Sequence, residues 1–449
     1  LEAELAINRD AAPQIYRRVL PITRDQSGRL AVGGEGTAVE WALEMARFDE
    51  NQTFDRLADV GAIADDLAEK LAAAVATMHA RAPVADTEAW LAAVAEFVDQ
   101  NTAAFRAMPA LFADQAVAQL GEASQAALER LRPLLRARGR HGLIRRGHGD
   151  LHLGNIVLLD GEPVPFDALE FDPVIASGDV LYDLAFLLMD LVERRLGRAA
   201  NIVLNGYFAH TRRLEDHDGL AALPFLMSLR AAIRAKVTAA RAEHAKAVDR
   251  TAISKLAQTY FDLALRLLAP PAPMLVAVGG LSGTGKSLLA RSLAPFVMPE
   301  PGALVLRSDL ERKRLFGVDE TTKLSSEAYR PDVSATVYDN LMQQAGRVTG
   351  AGHSAIVDAV FARAEERDAV AHIAASKHVA FRGLFLVADL QTRLARVGRR
   401  VLDASDADAA VVRQQERFKL GPVDWVEVDA SGAPDETLKR ARAALDRGS

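Results

Sequence analysis

The chain has 449 residues, half of them hydrophobic, which is enough to bury more than one core, so a disordered tail or a fibre is excluded and two or three domains are expected. Lys plus Arg (54) nearly balance Asp plus Glu (60), for a formal charge of -6, so no overall basic field draws the chain to nucleic acid or a membrane, although a local basic groove is compatible with it. Cysteine is absent, which excludes disulfides, thiolate nucleophiles and Cys-based zinc sites; no apolar run reaches membrane-span length and no signal-peptide pattern opens the chain, so a cytoplasmic location is the default expectation.

The sequence begins Leu1-Glu-Ala-Glu-Leu-Ala, already inside a helical pattern and without an initiator Met, and natural sequence upstream of Leu1 is expected. Residues 1–9 read as the end of a helix. Two short strand-like runs follow, 15–22 and 38–45, joined by the turn Gly33-Gly-Glu-Gly36; two short strands do not make a stable sheet alone. From 54 to about 135 the pattern is helical and alanine-rich, with Leu67, Leu71, Val75 and Met78 at three- and four-residue spacing. His79 lies on that face, and with no partner at ligand spacing it reads as a packed or hydrogen-bonded helix histidine rather than a metal ligand.

Polar residues then crowd the loop His148-Gly-Asp150-Leu-His-Leu-Gly-Asn155, which runs into the apolar stretch 156–159; Asp167 stands after the next strand, and Asp179 and Asp183 come shortly beyond. An Asp and an Asn five positions apart, with a further Asp on the neighbouring strand end, can accept a hydroxyl proton and hold Mg²⁺ from two sides, the chemistry of phosphoryl transfer. The alternative is a set of polar loops capping a helical domain.

The spacing from Asp150 to Asn155 matches a kinase catalytic loop, and His148-Gly-Asp150 resembles the form found in aminoglycoside phosphotransferases and choline-kinase-like enzymes. That resemblance, over roughly residues 1–268, implies Asp150 as catalytic base, Asn155 and Asp167 as magnesium ligands, and Asp179 and Asp183 as supports of the loop. Gly149 stands where protein kinases carry Arg, and Ala168-Leu169 where they carry Phe-Gly, which points to a small-molecule acceptor. The family's glycine-rich loop and strand lysine have no counterpart before Glu2 or Glu4, the candidates for its helix glutamate, so the small lobe is expected to be incomplete.

In the helical stretch from 220 to about 268, Arg230, Arg234 and Arg241 share one stripe beside Leu226, Leu229, Ile233 and Val237. They read as a solvated edge whose aliphatic stems cover the core, in preference to an anion site. Ala269-Pro-Pro-Ala-Pro273 breaks any helix and forms a stiff connector, so the expected domains are 1–268 and 274–449, with 269–273 between them.

The most informative stretch is Gly280-Leu-Ser-Gly-Thr-Gly-Lys286-Ser287, preceded by an apolar run and followed by a helical pattern. Strand, glycine loop and helix in this order form a phosphate cradle of backbone N–H groups and a helix N-terminus, in which Lys286 reaches the β/γ oxygens and Ser287 can ligate Mg²⁺. The nucleotide-binding set is Gly280, Ser282, Gly283, Thr284, Gly285, Lys286, Ser287 and Leu288. The alternative is a glycine turn that binds nothing.

Residues 303–306 read as a buried strand delivering Asp309, with Arg312, Lys313 and Arg314 on the turn beyond; a second apolar strand ends in Asp358, followed by Phe361, Arg363 and Arg367. Strand C-terminal ends face the ligand crevice of an open parallel sheet, which places Asp309 to meet an acceptor hydroxyl or a metal-bound water, and the cation cluster suits an anionic substrate. The alternative for Asp309 is a surface helix cap. A strand at 381–387 and a helix at 391–400 follow, the helix bearing Arg393, Arg396, Arg399 and Arg400 and running into a mobile-looking charged segment from Asp403 to Asp408. One arginine of this lid, Arg399 in our assignment, is expected to neutralise the phosphoryl group in flight. A last strand at 425–429 completes a strand–helix alternation.

Residues 274 to about 445 resemble the P-loop small-molecule kinases, including gluconate kinase, chloramphenicol phosphotransferase and the kinase half of polynucleotide kinase. The expected fold is multidomain, an α-rich kinase-like (α+β) half followed by an α/β P-loop domain with a parallel sheet. The expected activity is transfer of a γ-phosphoryl group from ATP or GTP, with Mg²⁺, to a hydroxyl of a sugar, antibiotic or related metabolite. Two other readings are a polynucleotide 5′-hydroxyl kinase, against which the acidic total charge argues, and a nucleotide-gated regulator with one non-catalytic half.

Overall fold

The computed structural model describes residues 1–399 and 404–446. They divide into two compact units, one of residues 1–212 and 222–269, the other of residues 213–221 and the chain from 270 on.

In the first unit, α1 (Glu2–Ala11) leads into an antiparallel sheet of β1 (Tyr16–Arg24), β2 (Leu30–Val32) and β3 (Thr37–Met45), ordered β2-β1-β3. The sequence suggests only two of these strands; β2 is three exposed residues, too short to display an alternating pattern. Ile15 and Tyr16 anchor the sheet in a small core with Val157 and Val164, backed by Leu5 of α1 and by Leu43 and Phe48. The alanine-rich region folds into α2 (Phe54–Asp59), α3 (Asp65–Arg81), α4 (Thr87–Arg106) and α5 (Asp114–Arg140), with Leu71 and Val75 fully buried as the spacing requires.

Two short antiparallel ladders follow. β4 (Ile144–Arg146) pairs with β7 (Ser177–Asp179), and β5 (Ile156–Leu159) with β6 (Glu162–Pro165). The β5–β6 hairpin turns on Asp160 and Gly161, both at positive φ (51° and 79°), as a two-residue loop between twisted strands demands. α6 (Val180–Glu193) is apolar apart from Asp183, Asp190 and its last residue, and is buried along nearly its whole length, behind the polar loops. α7 (Gly197–Thr211), α9 (Leu223–His244) and α10 (Ala247–Leu268) complete this unit, while α8 (Leu214–Gly219) groups with the second.

Arg230 corrects the solvated-edge expectation. It is buried, its guanidinium 3.7 Å from the Tyr182 ring centre, 4.7 Å from that of Phe186 and 3.6 Å from Asp183 Oδ1. Arg234 is half-buried over Phe186 and Tyr260, and of the three only Arg241 is exposed; Val237, on the supposed apolar stripe, is exposed as well. The reason is that α9 packs on α6, so the face read as an edge is partly an interface.

The second unit is built on an all-parallel sheet, β12-β11-β8-β10-β9, made of β8 (Met274–Gly280), β9 (Leu304–Arg307), β10 (Ala355–Asp358), β11 (Ala380–Val387) and β12 (Val426–Asp429). Strands covered on both faces read as continuous apolar runs, and β8 is buried from Leu275 to Gly280. α11 (Lys286–Leu293) and α17 (Pro434–Asp446) pack together over Val276, Val278, Ile356 and Leu384. α12 (Ser308–Leu315), α13 (Pro331–Gly350) and α14 (Ala364–Ser376) follow β9 and β10, and α13 also meets α8, where Arg347 Nη2 lies 3.0 Å from Asp218 Oδ2. α15 (Leu390–Gly398) and α16 (Ala409–Gln415) pack on each other. Strand order reverses at β8, so its carboxyl end is the switch point at which open α/β sheets bind ligands. No helix among the described residues is long and apolar enough to cross a membrane.

Candidate active sites

In the second unit, β8 delivers the glycine loop to the start of α11. Gly280 sits at φ 133°, where a Cβ would lie 2.6 Å from the Leu386 carbonyl oxygen, and Gly283 at φ 86°, where a Cβ would lie 2.6 Å from that of Arg393. Side chains at these two positions would collide with backbone, which is why the loop needs glycine there. A cavity of about 750 Å³ opens over the loop, lined by Ser282, Gly283, Thr284, Gly285, Lys286, Ser287 and Leu288. Gly280 does not line it. The N-terminal end of the α11 dipole and the ammonium of Lys286, which donates to Leu281 O at 3.3 Å, put positive potential beside this wall.

Asp309 lines the same cavity from the first turn of α12, immediately after β9. Burial and the neighbouring Asp358 charge raise its carboxyl above the ordinary value, against the opposing pull of Arg307, Lys286 and a hydrogen bond from Ser405. A carboxylate so raised is a stronger base than a solvated one. Asp358 ends β10, is buried, and has Arg307 Nε 3.4 Å from its Oδ2.

Arg312, Lys313 and Arg314 stand on α12 rather than on a turn, and their charges are largely used within the protein. Arg312 donates to Ala328 O and stacks 4.7 Å from the Tyr329 ring centre, Lys313 pairs with Asp406 at 2.7 Å, and Arg314 holds Glu311 at 3.0 and 3.1 Å. Only Arg312 of the three lines the cavity. Arg363 caps α14, and Arg367 is buried, donating to Phe361 O, Leu420 O and Pro422 O, so neither faces it.

The arginine-rich helix ends at Gly398. Arg393 is buried against the loop, donating to Ser282 O at 2.9 Å, while Arg396 lines the cavity. Arg399, our assignment for the phosphoryl contact, is exposed past the end of α15 and outside the cavity wall, so among the described lid arginines Arg396 is the one that lines it; Arg400 and Asp403 lie outside the described residues. In the described part of the segment read as mobile, Asp406 and Asp408 are tied down. Asp406 accepts from Lys313 (2.7 Å), Tyr329 Oη (2.6 Å) and the Leu324 N–H (3.1 Å), and Asp408 caps α16 through the N–H groups of Ala410 and Val411. Sequence reasoning also missed Tyr329, Tyr338 and Gln415, which line the cavity, because nothing in their local spacing marks them.

In the first unit the polar loop is held from behind. Asp183 accepts the backbone N–H groups of His148 (2.6 Å) and Gly149 (3.0 Å), and Asp190 accepts that of Leu153 (3.0 Å). Burial alone would raise the Asp183 carboxyl, but the hydrogen bond and charge of His79, with His148 and Arg230, bring it down to about 2. His79 is a packed and hydrogen-bonded helix histidine, bonded to Tyr207 Oη at 3.0 Å, with its other nitrogen 3.4 Å from Asp183. His148 Nδ1 accepts the Asp150 N–H, which leaves Nε2 to donate to Phe166 O at 2.8 Å and fixes the tautomer. Asp179 is engaged elsewhere, bidentate with Arg138 at 2.6 and 2.8 Å.

Asp150 and Asn155 come together, Asn155 Nδ2 lying 3.1 Å from Asp150 Oδ2 and 3.0 Å from its carbonyl. Although burial works the other way, His152 and nearby cations lower the Asp150 carboxyl. Asp167 follows β6 in a left-handed conformation (φ 64°), its N–H on Tyr16 Oη at 3.1 Å, and the next residue, Ala168, is clamped by the Asn8 amide of α1. Among the described residues no three His, Asp or Glu side chains gather as a metal cage. The donors on offer are an amide, a hydroxyl and single carboxylates, a set suited to magnesium that keeps water and phosphate oxygens as its other ligands.

Residues 4–223 match the profile of the Phosphotransferase enzyme family, and residues 275–420 that of an AAA domain. Over 454 aligned positions the chain is 29% identical to the uncharacterized protein Rv2004c of Mycobacterium tuberculosis, covering 98% of this chain and 86% of that one. Among solved structures, the APS kinase CysC of Mycobacterium tuberculosis is similar at 23% identity, over 39% of this chain and 99% of its own, with a TM-score of 0.31. A gluconokinase from Sinorhizobium meliloti is similar at 20% identity, over 39% and 93%, with a TM-score of 0.28. The chain thus carries two domains in tandem, the first similar to the phosphotransferase enzymes over residues 4–223 and the second to an AAA domain over residues 275–420.

Proposed function

We propose that the chain transfers the γ-phosphoryl group of ATP or GTP to a hydroxyl of a small molecule, with the P-loop unit as the principal site. The observation that carries this reading is one cavity holding the glycine loop, Lys286, the start of α11 and a carboxyl of raised basicity, Asp309. Lys286 and the loop amides hold the β- and γ-phosphates in line. The acceptor oxygen attacks the γ-phosphorus while its proton passes to Asp309; the bond from γ-phosphorus to the bridging oxygen breaks, and the nucleoside diphosphate leaves with that electron pair. Arg396 neutralises charge on the transferring group. Ser287 and Asp358 line the same cavity and fit magnesium, which supplies further neutralisation of phosphate charge when bound.

In the first unit, Asp150 as base with Asn155 and Asp167 as magnesium ligands form a second site of the same chemistry. A nucleotide-consumption screen over sugars, antibiotics and oligonucleotides tests the whole reading. Acceptor-dependent turnover by small molecules supports it, turnover only with oligonucleotides makes the chain a polynucleotide kinase, and binding without turnover makes it a nucleotide-gated regulator.

A further inference from the structure

The phosphate loop leans on the helices that follow β11. Ser282 is buried, and both polar groups of its backbone are taken by side chains from far along the chain: its N–H donates to Gln415 Oε1 at 2.7 Å, and its carbonyl accepts from Arg393 Nε at 2.9 Å. Arg393 is itself buried and ion-paired through Nη1 with Glu416, the residue after Gln415. The next loop residue, Gly283, lies against the α15 backbone, and Thr284 O accepts from Arg396 Nη1 at 3.4 Å. Three consecutive loop residues therefore rest on α15 and α16.

A phosphate cradle works only while its N–H groups point inward, and a peptide flip exchanges a donor for an acceptor. Hydrogen bonds to both groups of one residue remove that freedom. We infer that Gln415 and Arg393 are positioning residues, which fix the Ser282 backbone and so link nucleotide occupancy of the loop to the order of α15 and α16, the helices that bring Arg396 to the cavity. Linkage makes the effect reciprocal: helices that hold the loop ready for phosphate are themselves steadied when phosphate binds. This rests on the reading of the cavity as a nucleotide site.

The test uses the full chain, with Mg-ATP as probe, calorimetric titration for affinity and hydrogen exchange for order. Wild-type protein is expected to bind, with slower exchange in residues 409–416 on binding. No binding by wild type overturns the nucleotide reading itself and the inference with it. Gln415→Leu keeps the bulk and removes the acceptor. It is expected to weaken Mg-ATP about five- to tenfold, to raise KM more than it lowers kcat, and to abolish the slowing in 409–416 while β8 stays protected. Unchanged affinity and an unchanged exchange response would overturn the inference while leaving the nucleotide reading intact. Should Gln415→Leu unfold the unit, Glu416→Ala decides, since that side chain is 43% exposed and its loss frees Arg393 without opening the core. Weaker Mg-ATP binding in that variant supports the brace, and unchanged binding overturns it.

Discussion

Asp183 Oδ2 accepts the backbone N–H of His148 at 2.6 Å, and the same oxygen lies 3.4 Å from His79 Nε2. One buried carboxylate thus ties the catalytic-loop candidate to α3, a helix that begins 83 residues before His148 in sequence. Removing one partner of such a group leaves the others buried and unmatched. Asp183→Asn, which sets an amide N–H against a backbone N–H donor, is expected to destabilise the first unit by about 3 kcal/mol in urea unfolding followed by Tyr and Trp fluorescence. The carboxyl is held down at about 2, so its contribution is complete above pH 4 and is lost as pH falls through 2. Wild type and the variant should therefore converge in stability at the acid end.

A second pH effect belongs to the other unit. His353 is buried at the start of β10, with Nε2 donating to Gly302 O at 2.9 Å, and burial pushes its imidazole down to about 4. In the unfolded chain the ring takes its proton near pH 6.5, so stability is full above that value and falls as pH drops towards 4, by about 3 kcal/mol at most. His353→Gln should flatten this part of the stability profile. An unchanged slope between pH 6.5 and 4 would show that the histidine is not what titrates.

Asp309 carries the chemical step in our reading. Asp309→Asn is expected to lower turnover by about two orders of magnitude, with nucleotide affinity little changed. Because burial and Asp358 raise its carboxyl, activity should fall with decreasing pH through a value above that of a solvated aspartate. An equal loss of Mg-nucleotide affinity would make Asp309 a metal ligand instead.

What the sequence discloses and what it hides divide along chain distance. The glycine loop and the Asp150–Asn155 spacing are legible because backbone geometry over eight or fewer residues decides them, and the parallel sheet because each strand is an apolar run followed by a helical pattern. Arg230 is misread because helical periodicity gives a face but not what covers it, and α6 covers it. Asp406 looks like part of a mobile acidic run until Lys313, Leu324 and Tyr329 are brought around it. The same holds for Gln415, whose partner Ser282 lies before three intervening strands.

The two candidate sites differ in what they offer a triphosphate. In the second unit the loop, Lys286 and the α11 N-terminus face one cavity. In the first, the loop around Asp150 and Asn155 is well ordered by hydrogen bonds, but the sheet β2-β1-β3 carries no lysine, and the first lysine of the chain, Lys70 on α3, is spent on Glu162 Oε1 and Gly161 O, each at 2.7 Å. Carboxylates gather around Asp167: burial raises the Glu4 carboxyl, and Glu170 and Asp167 raise it further against the opposing pull of the Leu1 ammonium. Phosphoryl transfer depends on positioning and on neutralised charge, and both favour the P-loop unit. In this chain, Lys286→Ala is therefore expected to remove most magnesium-dependent nucleotide turnover and to weaken Mg-ATP binding about tenfold or more, while Asp150→Asn removes little of the turnover. Nucleotide consumption by the two variants, measured side by side at saturating magnesium, ranks the sites directly. If Asp150→Asn silences the protein and Lys286→Ala leaves it active, the first unit is the working enzyme, and the phosphate loop serves binding without transfer.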